Sequence, residues 1–328
     1  MRAALQRSWY GQGRGWLLLR PLAALFAGVV WIRQRLYRLG WLRSEAVGVP
    51  VLVVGNITVG GSGKTPLTLA LIEKLQQRGL RVGVVSRGYG GQAEAYPLDV
   101  GPDSHAREVG DEPLMMALQS GARVVVDPRR PRGARRLVEQ GVDVVIADDG
   151  LQHYALRRDA EIAVTDARRG VGNGSLLPAG PLREAPSRLE TVDLSLVHGP
   201  GADFWLVPGA AMSIDGQGRS RELTQFVGTP VHAIAGIGDP HRFFDMLRGL
   251  GLDVIEHPMP DHYRYRAQDL DFADDWPLLM TGKDAVKCRG FANTARCWQV
   301  PVRVAFSAGC DARIDALLDR LLGTCRAA

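Results

Sequence analysis

Apolar and polar positions alternate in two patterns between residues 49 and 200. Short apolar runs, which are typical of buried strands, lie at Val49–Val54, Val82–Ser86, Arg123–Val126, Val142–Ala147, Ile162–Thr165 and Leu194–Val197. Between some of these runs, apolar residues recur at helical spacing, in the stretches 66–78, 111–119 and 132–140. Because strands and helices alternate, we expect an α/β fold with a parallel sheet covered by helices on both faces. Ligands should then bind at the carboxyl ends of the strands.

A second series of elements follows a change in composition. Residues 200–221 are rich in Gly, Ser, Pro and Asp, which is typical of a junction. Beyond it, the pattern predicts a helix at Pro240–Arg248 and strands at Val231–Ile237, Val254–His257, Leu278–Met280 and Val302–Phe306. A length of 328 residues allows two domains. We therefore predict an N-terminal helical segment at 1–45, a main α/β domain at 46–222 and a smaller α/β domain at 223–328.

A glycine-rich loop joins the first predicted strand to the first predicted helix. Its glycines let backbone N–H groups surround phosphate oxygens, and the helix N-terminus adds positive potential. Lys64 can reach the β- and γ-phosphates of a nucleotide, and the Thr65 hydroxyl can bind Mg²⁺. The predicted phosphate-binding residues are Thr58, Val59, Gly60, Gly61, Ser62, Gly63, Lys64 and Thr65. Thr58 stands where the strict pattern has glycine, so a glycine-rich turn without nucleotide is the alternative. The preferred fold class is P-loop NTPase-like.

Two carboxylates follow the predicted strand Val142–Ala147. Asp148 and Asp149 would lie at the carboxyl end of that strand, beside the glycine-rich loop, if the two strands share one parallel sheet. A carboxylate at this place is needed to hold the Mg²⁺ that accompanies a bound nucleotide. The alternative is a solvated turn at the end of the strand.

The N-terminal segment combines basic charge with apolar residues. Residues 1–43 contain eight arginines and no acidic residue, whereas the whole chain has 40 basic and 35 acidic residues and a net charge of +5. The apolar stretch between Arg20 and Arg33 is shorter than the roughly 20 residues that span a membrane. We favour an interfacial helix on an anionic membrane surface. A helix packed on the protein body and a true membrane span are the alternatives.

Composition excludes several classes of protein. Hydrophobic residues make up 46% of the chain and charged residues 23%, which is ordinary for a folded globular protein and excludes a largely disordered one. The excess of basic charge lies at one end, so a nucleic-acid partner is not expected. The four cysteines form no C-x-x-C pair, which favours reduced thiols over a zinc site.

Seven ordered motifs resemble the tetraacyldisaccharide 4′-kinase family, the lipid A 4′-kinases of Gram-negative bacteria. They are VGNITVGGSGKTP (54–66), SRGYGG (86–91), VGDEPLMMA (109–117), DDGLQH (148–153), DARRGVGNGSLLPAGPLRE (166–184), AGIGDPHRFF (235–244) and PDHYRY (260–265). TGKDAVK (281–287) is similar to an eighth motif, but Gly282 stands where the resemblance leads us to expect Glu. A single glycine-rich loop is weak evidence, whereas seven motifs in order are specific.

The resemblance implies a lipid kinase. It implies ATP-dependent phosphorylation of the 4′-hydroxyl of a tetraacylated glucosamine disaccharide 1-phosphate, with lipid IVA as the product and Mg²⁺ as the metal. It also implies a two-domain P-loop fold at the cytoplasmic face of the inner membrane. The basic N-terminal segment agrees with that location, because the lipid substrate is anionic. No obligate protein partner is evident.

The resemblance also suggests roles for individual residues. It implies that Asp111 and His262 pair as the proton-accepting group, with Lys64 on the phosphates; Asp111 as a helix N-cap and His262 as an ordinary loop residue are the alternatives. The expected Mg²⁺ ligands are Thr65, Glu112, Asp148, Asp149 and Gln152. The expected substrate contacts are Tyr89, Arg183 and Glu184, and the alternative for each is a polar loop residue.

Two other classes share a glycine-rich loop. A P-loop GTPase should carry an N-K-x-D motif that recognises guanine, and the sequence contains none. A nucleotide-dependent membrane scaffold without kinase activity gives no reason for the motifs at 166–184 and 260–265. Both remain alternatives to the lipid kinase.

Overall fold

The computed structural model describes residues 8–11, 15–291 and 294–326. The α-helices are α1 (Arg20–Arg38), α2 (Lys64–Gln77), α3 (Ala106–Val109), α4 (Asp111–Ser120), α5 (Arg130–Glu139), α6 (Pro240–Gly249), α7 (Gly282–Cys288) and α8 (Ala308–Arg326). Strands β1 to β8 are Val51–Gly55, Val82–Ser86, Leu98–Val100, Arg123–Val126, Val144–Asp148, Ala160–Asp166, Leu194–His198 and Phe204–Pro208. Strands β9 to β15 are Ala211–Ser213, Ser220–Arg221, Val231–Ala235, Val254–Pro258, Leu278–Thr281, Cys297–Val300 and Val302–Phe306. Short 3₁₀ helices occur at Gly15–Leu19, Pro186–Glu190, Leu223–Phe226 and Ala267–Leu270.

The larger sheet has nine strands in the order β15-β8-β7-β6-β1-β5-β2-β4-β3. The pairs from β8 to β4 are parallel, and the edge strands β15 and β3 are antiparallel to their neighbours. β1 lies between β5 and β6; the chain runs from β1 to β2 on one side of it and later crosses from β5 to β6 on the other side. A crevice forms at such a switch point, and the glycine-rich loop follows β1 at this place.

Helices cover both faces of this sheet. Residues of β1 alternate between the two faces, because successive side chains of a strand point to opposite sides. Leu52 and Val54 pack with apolar residues of α2, α4 and α8, whereas Val51 and Val53 pack with α5. The predicted P-loop NTPase-like sheet with helices on both faces is confirmed.

The smaller sheet has six strands in the order β10-β9-β14-β13-β11-β12. Strands β14, β13, β11 and β12 are parallel, and helix α6 packs on one face through Phe243, Phe244 and Leu247. The predicted smaller α/β unit is therefore present.

The membership of the two sheets differs from the predicted boundary at residue 222. Strands β9 and β10 precede that boundary but belong to the smaller sheet. Strand β15 follows it but pairs with β8 in the larger sheet, and α8 packs on the larger core through Ile314 and Leu318. The chain therefore crosses between the sheets twice. The local sequence pattern did not predict this, because strands β8 and β15, which pair with each other, are almost 100 residues apart.

The region 200–221, predicted to be a junction, contains three strands. β8 pairs with β7 and β15 at an edge of the larger sheet, while β9 and β10 form the antiparallel edge of the smaller one. Glycine and polar residues interrupt these short strands, so no apolar run marks them. The composition still identifies the place where the chain moves from one sheet to the other.

Helix α1 packs on the protein body at its C-terminal end and exposes most of its apolar surface. Gln34 donates a hydrogen bond of 2.7 Å to Glu184, and the ring of Tyr37 lies 5.7 Å from that of Tyr154. Upstream, the indole N–H of Trp9 donates to the carbonyl oxygen of Pro178 at 3.1 Å. The helical stretch Trp16–Arg38 is long and apolar enough to cross a membrane. The exposed apolar side chains include those of Leu18, Leu25, Trp31 and Trp41. Of the arginines predicted to meet a membrane, Arg2, Arg7 and Arg14 lie outside the described residues.

Candidate active site

The glycine-rich loop leaves β1 at Gly55 and enters α2 at Lys64. Gly60 and Gly63 have φ angles of 103° and 89°, a region that favours glycine. A Cβ atom at Gly63 would also lie 2.9 Å from the imidazole ring of His198, the last residue of β7. Glycine is therefore needed at Gly63 both for backbone conformation and for the close approach of His198.

Thr58 occupies an extended part of the loop. It forms an antiparallel bridge with Leu182, and the next residue, Val59, donates its N–H to the carbonyl oxygen of Pro181 at 2.8 Å. Thr58 has no positive φ, so the position does not require glycine. The departure from the strict pattern thus has a structural reason, because the segment 181–182 holds the loop from outside.

Asp148 is a buried carboxylate with an unused oxygen. It ends β5, and its Oδ1 has no hydrogen-bond partner. Burial raises the pKa of Asp148, and the negative charges of Glu112 and Asp149 raise this pKa further. Mg²⁺ is bound in nucleotide sites by one or two carboxylates together with phosphates and water. An unpartnered buried carboxylate beside a phosphate loop fits this ion, because a cation there compensates the charge.

The carboxylate of Asp149 contacts two positively charged side chains. Its carboxylate lies 3.6 Å from Lys64 Nζ and accepts hydrogen bonds of 2.8 and 3.0 Å from Arg183 Nη1. Burial alone would raise the pKa of Asp149, but the charges of Lys64 and Arg183 lower it well below its usual range. The residue has a φ of 47°, so the backbone turns sharply directly after β5. Asp149 therefore stays ionised and positions Lys64 next to the loop.

Gln152 and Glu184 belong to a hydrogen-bond network that connects the site with α1. Gln152 Nε2 donates to the carbonyl oxygen of Asn56 at 3.2 Å and to Glu184 Oε2 at 3.0 Å. Glu184 is 1% exposed, and its other oxygen accepts hydrogen bonds from Gln34 and from the hydroxyl of Tyr154. The polar atoms of both predicted site residues thus form hydrogen bonds within the protein.

Asp111 and His262 are in direct contact, although 151 positions separate them. His262 Nδ1 lies 3.0 and 3.1 Å from the two carboxylate oxygens of Asp111. Asp111 is the first residue of α4 and is buried, and His262 has a φ of 59° in the loop after β12. The hydrogen bond to Asp111 raises the pKa of His262. Burial works to raise the pKa of Asp111, but His262 and the charges of Lys283 and Lys287 lower it.

Tyr89 lies at the open side of this pair. Its ring centroid is 4.9 Å from that of His262, and the tyrosine is 62% exposed. The predicted contact residue therefore borders the pair and is accessible to a ligand. The backbone of Gly90 also approaches the imidazole, since a Cβ there would be 3.6 Å from His262 Nδ1.

Glu112 lies between the pair Asp111 and His262 and the carboxylate of Asp148. It accepts a hydrogen bond of 3.0 Å from Lys283 Nζ, and its charge raises the pKa of Asp148. The start of α4 thus brings the pair Asp111 and His262 next to the carboxylates at the end of β5. Charged residues thus follow one another at the switch point of the larger sheet: Lys64 contacts Asp149, Asp148 is affected by the charges of Asp149 and Glu112, and Asp111 adjoins Glu112.

Sequence reasoning did not identify three residues of this region. Arg130 is fully buried and donates from Nη2 to the carbonyl oxygen of Asp148 at 2.8 Å, and burial lowers its pKa to about 10. His198 packs under the glycine-rich loop, and Lys283 reaches Glu112. The motif at 281–287 was the available signal for Lys283, whereas nothing local distinguishes Arg130 or His198 from other polar residues.

Comparisons with known proteins agree with this site. The model of the tetraacyldisaccharide-1-P 4′-kinase family matches residues 15–319. A tetraacyldisaccharide 4′-kinase of Alkalilimnicola ehrlichii is 50% identical over 308 residues, with 92% of each chain covered. One of Halorhodospira halophila is 46% identical over 319 residues, covering 95% of this chain and 96% of the relative.

A solved structure extends the likeness to three dimensions. The crystal structure of the "apo" form of LpxK from Aquifex aeolicus in complex with ATP superposes with a TM-score of 0.78 at 28% identity, covering 94% of this chain and 99% of the other. The similarity thus spans both sheets and the loop that was predicted to bind ATP. On the match of the family model and the identity of its relatives, this chain belongs to the tetraacyldisaccharide-1-P 4′-kinase family.

Proposed function

We propose that this protein transfers the γ-phosphoryl group of ATP to the 4′-hydroxyl of a tetraacylated glucosamine disaccharide 1-phosphate, giving lipid IVA. Family membership supports the activity. The single structural observation that carries it is the contact between Asp111 and His262 beside a phosphate-binding loop. A phosphoryl acceptor needs a group that receives its proton. We assign this role to the pair because Glu112, next to Asp111 in the chain, is close enough to Asp148 to raise its pKa.

The nucleotide side of the site works by positioning and charge. Backbone N–H groups of the loop would surround the phosphates, except that of Val59, which donates to the carbonyl oxygen of Pro181, and Lys64 would balance the charge that develops on the transferred group. Thr65, Asp148 and Glu112 would hold Mg²⁺, and Asp149 orients Lys64. When bound, Mg²⁺ neutralises phosphate charge. Gln152 was predicted as a metal ligand, but we assign it a positioning role because its amide bonds to Asn56 and Glu184.

The acceptor side depends on the pair Asp111 and His262. The depressed pKa of Asp111 keeps its carboxylate ionised, so it can accept a hydrogen bond from the sugar hydroxyl. His262 holds that carboxylate in one orientation and stabilises the protonated pair once the proton has moved. Tyr89 borders the sugar from the exposed side. Either member can carry the proton at the end of the step, and no part of the proposal depends on which one does.

The predicted substrate residues at 183 and 184 differ in what they offer. Arg183 is partly exposed and bonds to Asp149 through Nη1, which leaves its other nitrogens available to an anionic ligand. Glu184 is buried and bonded to three side chains, so we assign it to holding α1 against the site rather than to the substrate itself.

We further propose that α1 places the enzyme on the cytoplasmic face of the inner membrane. The helix carries exposed leucine and tryptophan side chains together with arginines and no acidic residue. This combination favours an interface with anionic lipid. Because Gln34 of this helix bonds to Glu184, the surface that meets lipid is connected to the catalytic crevice. Segments 1–45, 46–222 and 223–328 remain the proposed domain division. Strands β9 and β10 of the second segment lie in the smaller sheet, and β15 of the third segment lies in the larger one.

Mass spectrometry tests the activity directly. Purified protein is incubated in detergent with Mg-ATP and the acylated disaccharide 1-phosphate, and the lipid should gain one phosphate at the 4′ position. Reactions without Mg²⁺ or with GTP in place of ATP serve as controls. A GTPase or a membrane scaffold would leave the lipid unchanged, and that result would contradict the proposal.

A further inference from the structure

Lys283 connects the two units of the protein at the active site. It is the second residue of α7, and its side chain is 13% exposed. Its Nζ donates to Glu112 Oε1 at 3.0 Å and to Asp261 Oδ1 at 3.0 Å, and it lies 3.4 Å from His262 Nε2. An ammonium group has three N–H donors and no acceptor; the two carboxylates take two of these donors, and the third can reach His262 Nε2 when that nitrogen is unprotonated.

The partners of Lys283 come from separate elements. Glu112 belongs to α4 on the larger sheet, whereas Asp261 and His262 lie in the loop after β12 of the smaller sheet. Lys283 itself follows β13 of the smaller sheet. One ammonium group therefore bonds residues on both sides of the crevice in which Asp111 and His262 meet.

The charge of Lys283 matches its surroundings. Asp111, Glu112 and His262 offer ligand atoms within 4.8 Å of one another, an arrangement that can hold a cation. Lys283 Nζ lies 4.0 Å from Asp111 Oδ2 as well as 3.0 Å from Glu112. The carboxylates of Asp111 and Glu112 would repel each other without positive charge nearby. Lys283 contacts both of them, whereas Lys287 lies 3.8 Å from Asp111 alone.

The packing of α7 against α4 sets the reach of Lys283. Gly282, which replaces the expected Glu, is buried against α4, and a Cβ there would lie 2.8 Å from Gln119 Nε2 and 3.4 Å from Met115 Sδ. Gly282 thus allows close packing between α7 and α4 and provides no charged group. The next side chain, that of Lys283, makes the polar contacts with the crevice.

We propose that Lys283 is a positioning residue of the kinase, which holds Glu112 and the loop bearing His262 in the arrangement needed for phosphoryl transfer. This inference rests on the proposed function, because it assigns Lys283 to the pair Asp111 and His262. Lys283 acts through these groups: Glu112 keeps its place beside Asp148, and His262 keeps its contact with Asp111. A displacement of about 1 Å at a catalytic group lowers a rate by roughly 100-fold.

Lys283→Met tests the proposal, because it removes the ammonium group and keeps the length of the side chain. We expect kcat to fall about 10- to 100-fold while the Kd for ATP stays within about twofold. Lys283→Arg keeps a charged donor and should recover part of kcat. Lys74→Met is the matched control, because Lys74 also bridges carboxylates, those of Asp311 and Asp315, but far from the crevice.

A double-mutant cycle separates positioning from a general loss of stability. If Lys283 acts through His262, its removal should cost much less in a His262→Ala background than in the wild type. Asp261→Asn weakens the same contact with Lys283. Because the side chain of Asp261 is exposed, this variant should fold normally, and we expect about a fivefold loss in kcat. A Lys283→Met enzyme with kcat within threefold of wild type, or losses that multiply strictly, would overturn the proposal.

Hydrogen–deuterium exchange distinguishes failure of this inference from failure of the proposed function. Amides at 261–264 should exchange faster in Lys283→Met than in wild type or Lys74→Met, whatever the enzyme phosphorylates. Unchanged exchange would refute the tether. A wild-type protein that phosphorylates no acylated disaccharide would refute the proposed function, and the exchange data would still decide whether Lys283 holds the loop.

Discussion

The two sides of the crevice are built in different ways. The nucleotide side follows from one continuous segment, in which β1, the glycine-rich loop and α2 succeed each other within about thirty residues. The acceptor side combines α4 with the loop after β12 and the start of α7, whose residues His262 and Lys283 lie 151 and 171 positions after their partners in α4. Lys64 is placed by local geometry, whereas His262 and Lys283 are placed by the contact between the two sheets.

This difference has consequences for mutation. Damage to the loop affects phosphate binding wherever the smaller sheet lies, because the loop is anchored on the central strand of the larger sheet. Damage to the acceptor side affects catalysis through the relative position of two units and leaves the nucleotide site intact. The predictions below separate these two kinds of effect.

Asp111→Ala and His262→Ala should give the largest losses. Assistance by a general base is worth about 10²–10⁴ in rate, and we expect each variant to lose activity in that range while ATP affinity is retained. Because the two side chains are in contact, the double variant should be little worse than either single one. Steady-state kinetics with the lipid substrate and a separate measurement of ATP binding provide the test.

His241→Ala is the control for these variants, since His241 is exposed and lies near Glu256 away from the crevice. It should retain the rate of the wild type. Loss of ATP binding in Asp111→Ala, or strictly multiplicative losses in the double variant, would mean that the two residues do not act as one unit.

Lys64→Ala should lower kcat by about 10²–10³, because it removes one cation from the developing phosphoryl charge. Unlike the acceptor-side variants, it should also weaken binding of ATP. Lys74→Ala, at the opposite end of α2, should leave both quantities unchanged. A Lys64→Ala enzyme that keeps more than about a third of the wild-type kcat would contradict the assignment of the phosphate loop.

Asp148→Asn should stabilise the metal-free protein at neutral and alkaline pH. The pKa of Asp148 is raised by burial to about 7, from about 4 in an unfolded chain. The Asp148 carboxyl therefore binds its proton more tightly in the folded state than in the unfolded chain. The protonated carboxyl makes its full contribution to the free energy of unfolding below about pH 4, and this contribution is lost as pH rises through about 7. The Tm advantage of the variant should grow over that range, to roughly 2–4 °C.

Differential scanning fluorimetry with and without Mg²⁺ measures this effect. Mg²⁺ should stabilise the wild type and have little effect on Asp148→Asn, because the variant lacks the charged ligand. Asp143→Asn is an informative control at the other end of the same strand. Hydrogen bonds from Arg81 lower the pKa of Asp143 to about 2, so its pH dependence should have the opposite sign. Equal Mg²⁺ stabilisation in wild type and Asp148→Asn would contradict the metal assignment.

Serine substitutions at Leu18, Leu25 and Trp31 should have the smallest effect on chemistry. These side chains are exposed, Leu25 and Trp31 on α1 and Leu18 on the 3₁₀ helix before it, so their replacement leaves the contacts of Gln34 and Tyr37 with the body intact. We expect weaker flotation with anionic vesicles and a higher KM for the acylated lipid. On a soluble short-chain analogue, kcat should stay within about twofold, because the crevice is untouched. Unchanged vesicle binding would argue against α1 as the membrane contact.

Much of the fold and half of the site were determined by the sequence alone. Apolar runs predicted β2, β4 and β15 at their observed bounds. Strand β2 is mostly apolar because it is buried on both faces, whereas β15 is an edge strand in which Arg303 is exposed. Lys64, Thr65, Asp148 and Asp149 could be predicted as site residues because phosphate and Mg²⁺ chemistry favours these residue types beside a strand and a helix, and their roles stay predictions. Helix α1 was visible as an apolar stretch beside unopposed arginines, and its contact with a membrane stays a prediction.

Only the tertiary structure decided how the distant parts meet. Local pattern contained no sign that β15 returns to the larger sheet, since hydrogen bonding between strands imposes no sequence code on partners 100 residues apart. Glu184 was expected at the substrate, but folding buried it among Gln34, Gln152 and Tyr154. The contact of His262 with Asp111 and the tether through Lys283 exist because the two sheets dock with α7 against α4, and docking depends on the shape and charge of whole surfaces rather than on spacing along the chain.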